Sequence, residues 1–138
     1  MAVEALPNQR SSESVGTWMW REGVVLSTVT ATDDVIFELE DNVMILDLVV
    51  VVTTAGTATT SLTGTPQIAN TGGDVAMEGA IDLEAAAVTL WDRATGAGTI
   101  TNKSKCPFQI LITSDTPLTA ATVTVGLFVA RINYEPDA

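Results

Sequence analysis

The sequence contains no histidine and a single cysteine, Cys106. Without histidine the commonest general base and the imidazole ligand of zinc are missing. Nucleophilic machinery built on Ser/His or Cys/His pairs is excluded with it. One cysteine can form neither an intrachain disulfide nor a structural zinc site; beside Pro107 it reads as a small buried thiol. Cations are scarce too, six Lys and Arg against seventeen Asp and Glu, a formal net charge of −11. Such a surface repels phosphate backbones and anionic headgroups, so neither nucleic acid nor a membrane is an expected partner. No Walker-type phosphate loop occurs, and Gly96-Ala97-Gly98 lacks the strand–helix context of a dinucleotide loop. The longest unbroken apolar run, Leu48–Val52, is far short of the roughly 20 residues of a membrane-spanning helix. The stretch Pro7–Ser14 is polar throughout and carries no signal-peptide pattern. That predicts a protein kept in a cytoplasm or packaged into something assembled there.

What remains is a β composition. Charged residues make up 17 % and aromatics 5 %, too few charges for the outer faces of helices in a protein of this size. Thr and Val dominate with Ala, and their branched Cβ atoms suit a pleated surface better than a helix. The 138 residues fit one domain that buries roughly 65–70 % of its unfolded surface.

Residues 1–22 read as an N-terminal arm and 23–138 as a β domain. The arm is Ser-rich and without period up to residue 16. It ends in Thr17-Trp18-Met19-Trp20-Arg21, whose two indoles share one side of an extended chain. Trp18 and Trp20 either enter the domain's own core as part of a first strand, or anchor on a neighbouring subunit, where tryptophan is favoured. Strands follow from Val24. Val35, Phe37 and Leu39 alternate with Glu38 and Glu40, and Asp41-Asn42 makes a turn. Val43–Thr54 is apolar on both sides: Met44, Leu46, Leu48, Val50 and Val52 on one, Val43, Ile45, Asp47, Val49 and Val51 on the other. Thr122–Tyr134 repeats this, with Val123, Val125, Leu127 and Val129 against Phe128, Ala130 and Ile132. An exposed sheet should alternate apolar with polar. No set of amphipathic helices is present to cover a second apolar face, so another subunit is the expected cover. The candidate interface is therefore Trp18, Trp20, Val43, Ile45, Val49, Val51, Phe128 and Ile132. Further along, a short strand at Thr59–Thr63 precedes a long loop. Val75–Leu83 alternates, and Leu83–Trp91, with Ala85-Ala86-Ala87, allows a short helical turn. In all, about seven to nine strands separated by turns predict an antiparallel β-sandwich or jelly roll.

Carboxylates are the one group left that could do chemistry. Asp33, Asp34, Glu38, Glu40 and Asp41 cluster around one hairpin arm. They read as a solvated edge that discourages strand-to-strand aggregation; a calcium site and a carboxylate pair for hydrolysis are the alternatives. No enzyme activity and no cofactor are expected. Asp47, set among apolar neighbours, needs a partner: Arg93 or Arg131, or an axis between subunits.

The strands Phe108–Thr113 and Thr122–Val129, with the polar arm and the acidic Thr/Val-rich domain, resemble the jelly-roll decoration (cement) proteins of tailed-bacteriophage capsids. The likeness is one of strand texture over residues 23–134 and involves no motif, so it carries over no functional residue. It implies a virion structural protein, assembled in the host cytoplasm. Such a protein would be a homotrimer seated on the major capsid protein and stabilising the assembled shell. Two other readings stand beside it: a glycan- or receptor-binding module using loop aromatics such as Trp91 and Tyr134, and a virion tube or connector component.

Overall fold

The computed structural model describes residues 16–28, 32–40, 42–70, 73–91, 100–102, 106–114 and 118–131. Among these, ten strands and no helix are found: β1 (Thr17–Val25), β2 (Thr32–Leu39), β3 (Val43–Thr54), β4 (Leu62–Asn70), β5 (Gly73–Ala76), β6 (Ile81–Asp82), β7 (Val88–Leu90), β8 (Ile100–Asn102), β9 (Cys106–Ser114) and β10 (Thr122–Arg131). One sheet runs β1-β10-β3-β7, with β8 also on β3; the other runs β2-β9-β4-β5, with β6 also on β4. Every pairing is antiparallel. The first four strands alternate between the sheets, and their later partners come in reverse order: β1 with β10, β2 with β9, β3 with β7 and β8, β4 with β5 and β6. A chain paired in this nested way is one long hairpin wound into two layers, the jelly-roll arrangement. The β-sandwich expected from composition is the fold observed.

The core lies between the layers. Leu48, Val50, Val123, Val125 and Leu127 from the first sheet meet Ile36, Ile68, Phe108, Ile110 and Ile112 from the second, with Leu62, Met77 and Leu83 filling between them. Burying each large aliphatic or aromatic side chain here contributes about 1.5–3 kcal/mol relative to leaving it in water. Arg21 ties the layers at one side, its Nη1 donating to the Ile36 carbonyl at 2.9 Å. Glu84 ties a loop: its carboxylate accepts the Ala58 and Leu62 N–H groups at 3.3 and 3.2 Å. Asn42 takes a positive φ of 55° at the turn into β3, as its place in Asp41-Asn42 predicts; Asp41 lies outside the described residues.

Three expectations need correction. The first concerns β3, where Val43 (6 %) and Ile45 (0 %) are core residues, not outward ones. The register explains it: Ile45 pairs with Val129 and Asp47 with Phe128, so Leu46 is an extra residue opposite no partner. This bulge shifts the alternation by one. Odd positions face the core before it, and even positions, Leu48, Val50 and Val52, after it. Second, Thr17–Arg21 is an integral part of a sheet strand paired with β10, so a boundary at residue 22 cuts a strand. Gly23, with φ +63° and open space around its missing Cβ, makes the bulge at which β1 gains a residue on β10. Third, Leu83–Trp91 holds no helix, only a turn at Leu83-Glu84; Leu83 is buried, Ala85–Ala87 are exposed, and Val88–Leu90 is a strand on β3.

The strand expected at Thr59–Thr63 instead runs nine residues, Leu62–Asn70, and holds Pro66. A proline inside a sheet needs a place where no N–H is required. The Pro66 carbonyl accepts the Met77 N–H, so its ring nitrogen points to the same flank of β4. That flank is interrupted there, between β5 ending at Ala76 and β6 beginning at Ile81.

Candidate functional site

A sheet residue and its directly opposite partners stand on the same face, so the register of the first sheet defines its outer surface. One row reads Trp20, Gly126, Val49 and Leu90 across β1, β10, β3 and β7. Beside it run Trp18, Phe128 and Asp47, and on the other side Thr124, Val51 and Val88. The charged residues of this surface are Asp47 and, on β1 two residues beyond Trp20 and opposite Thr124 at the bulge, the exposed Glu22. The Asp47 Oδ1 accepts the adjacent Leu48 N–H at 2.8 Å; Arg93, one of the two arginines expected to pair with it, lies outside the described residues. Ala130 and Met44, paired with each other and half-buried, extend the surface beyond Asp47.

The relief of this face is uneven. Trp18 stacks on Trp20 with ring centroids 5.4 Å apart and an interplanar angle of 21°, and tilts against Phe128 at 5.2 Å. Trp20 can lie close to the sheet because residue 126 has no side chain; a Cβ there would stand 2.4 Å from Cζ3 of the indole. These rings form a ridge over β1 and β10. Toward β3 and β7 the side chains are smaller aliphatics, Val49, Val51, Val88 and Leu90. The ridge and the β7 flank are open to solvent: Trp18 is 38 % exposed, Trp20 51 %, Val88 61 % and Leu90 65 %. Val49, Val51 and Phe128 are half-buried.

Of the interface residues expected from sequence, the structure brings Trp18, Trp20, Val49, Val51 and Phe128 onto this one face. It removes Val43 and Ile45 to the core, and Ile132 lies outside the described residues. The two tryptophans do not enter the core of their own sandwich. Gly126, Val88 and Leu90 were not anticipated. The Val88-Thr89-Leu90 alternation was available as a signal, but three alanines before it favour a helix locally. Nothing in the sequence signals that Gly126 lies beneath Trp20, because the two are joined only by strand pairing.

The opposite face, on the second sheet, is polar. Gln67 and Gln109 are directly paired and both buried. The Gln67 amide donates to Asp74 Oδ2 at 3.0 Å and to Asp33 Oδ1 at 3.4 Å. Asp34 accepts the Ser27 N–H, while Glu38 and Glu40 are exposed. Asp33 and Asp34 thus hold donors of the sandwich itself. Among the described residues, no three acidic, cysteine or histidine side chains are grouped so as to hold a metal ion. Trp91, a candidate for sugar stacking on a loop, is buried at 8 % exposure; Tyr134 and Arg93 lie outside the described residues. No protein-family model, no curated protein and no solved structure matches this chain.

Proposed function

We propose that the protein is a structural subunit that acts by assembly, and that the assembly is a virion shell that it decorates and stabilises. One observation carries the reading: the apolar outer face of the β1-β10-β3-β7 sheet, with exposed Trp18, Trp20, Val88 and Leu90 on it. Contiguous apolar surface of this kind on a folded protein marks an interaction site. The face is built on strands and carries only two charged residues, Asp47 and, at its β1 edge, Glu22, among the rows described. Its chemistry suits burial against other subunits. The likeness of the strands to phage decoration proteins supplies the particular assembly. A subunit that binds the closed shell and not its separated parts stabilises the shell by mass action. The test is sedimentation of purified protein with undecorated shells of the virus that carries it. The protein should travel with the shells and raise the temperature at which they open. Protein that stays at the top of the gradient, with shells opening at an unchanged temperature, sinks the reading.

A further inference from the structure

The occupant of the apolar face can be argued from its size, its charge and its relief, granted the assembly reading above. We propose that it is a second copy of this chain, packed face to face about a two-fold axis parallel to the strands. Charge comes first. A chain of net charge −11 that recruited a different partner through this surface would use its carboxylates to select a cationic one. This face offers only Asp47, whose Oδ1 is already engaged by Leu48 N–H, and Glu22 at its β1 edge. Two acidic copies, by contrast, can approach closely only where carboxylates are scarce, as they are in these rows.

Area comes second. Four strands at ~4.8 Å spacing and about eight residues along β3 at ~3.3 Å each give a surface of roughly 20 by 25 Å. Two such faces together remove on the order of 1,000 Å² from water, about the least that a specific interface requires. Relief comes third. A two-fold axis parallel to the strands sets β1 of one copy over β7 of the other. The Trp18–Trp20–Phe128 ridge then lies on the lower aliphatic surface of Val49, Val51, Val88 and Leu90, twice over. Stacked sheets pack about 10 Å apart with their strands within about 30°, which this arrangement permits. An isologous contact of this kind closes on itself. It replaces the three-fold assembly implied by the resemblance to decoration proteins, and leaves the rest of the surface free for the shell.

The experiment is sedimentation equilibrium of the full chain over a wide concentration range, with circular dichroism of each variant to confirm the fold. The expected species has twice the 14.4 kDa chain mass. Leu90→Lys and Trp20→Lys should each weaken it at least tenfold, while Val35→Lys, exposed on the second sheet, should not weaken it. A wild-type monomer or closed trimer overturns the proposal. So does a dimer that folded Leu90→Lys and Trp20→Lys variants leave intact. A dimer that ignores shells removes the proposed function alone; a monomer that binds them removes this inference alone.

Discussion

Gly126 has no side chain, and Trp20 occupies the space one would take. A Cβ at 126 would fall within 3 Å of three carbons of the indole, while the backbone of β10 is fixed by strands on both sides. The indole is half exposed and is the part that must yield. Gly126→Val should therefore lift Trp20 off the sheet without unfolding it. The expected sign is a red shift and stronger iodide quenching of tryptophan emission, with an unchanged β circular-dichroism spectrum. An unaltered emission spectrum would contradict the packing. Glu84 gives a second residue-level case. Its half-buried carboxylate accepts two backbone N–H groups of the loop before β4, donors that otherwise have to find water. Charge-assisted bonds of this type contribute about 1.5–3 kcal/mol. Glu84→Ala should lower stability by that order, read as a shift of the urea midpoint at unchanged m-value. A shift too small to measure would mean that water replaces the carboxylate at no cost.

At the scale of the strand, the bulge at Leu46 decides which half of β3 faces which way. Ile45 and Val49 are both aliphatic, and strict alternation puts them on one side; the structure puts Ile45 in the core and Val49 outside. Ile45→Ala should cost about 2–5 kcal/mol through the cavity it leaves, and Val49→Ala well under half as much. Equal losses in thermal or urea unfolding would mean that β3 runs without a phase change. This is where the sequence was least legible. The strands themselves could be read from Thr and Val and from alternation, as at Val35–Leu39, because a half-buried strand writes its two environments into successive residues. A bulge depends on the partner strand: Leu46 is extra only because Asp47 and Ile45 pair with neighbouring residues of β10. Where both sides of a strand are otherwise apolar, a lone polar residue such as Asp47 does not reveal where the alternation shifts. The same holds for Val88–Leu90, whose strand form comes from pairing with Val49–Val51 and overrides the helical preference of Ala85–Ala87. Half of the outer face was legible for a related reason. Tryptophans two residues apart announce a shared side, but only topology shows that Leu90 continues their row.

At the scale of the molecule, charge and apolar surface oppose each other. Each copy carries a formal −11, so two copies packed by their sheet faces repel over the whole distance between their acidic surfaces. The apolar contact itself is insensitive to dilute salt, whereas the repulsion is screened as the Debye length falls from ~30 Å near 0.01 M to ~8 Å near 0.15 M. Salt should therefore tighten self-association, with the dissociation constant falling several-fold across that range. Contact with a cationic partner responds in the opposite sense, since screening then removes an attraction. Sedimentation equilibrium at the two salt concentrations reads the sign directly. Weakening with salt would place ion pairs, not the tryptophan ridge, at the contact. A neutral variant of the second sheet's edge such as Glu38→Gln, exposed and remote from the ridge, should act like added salt, tightening the dimer slightly by lowering the repulsion without touching the interface.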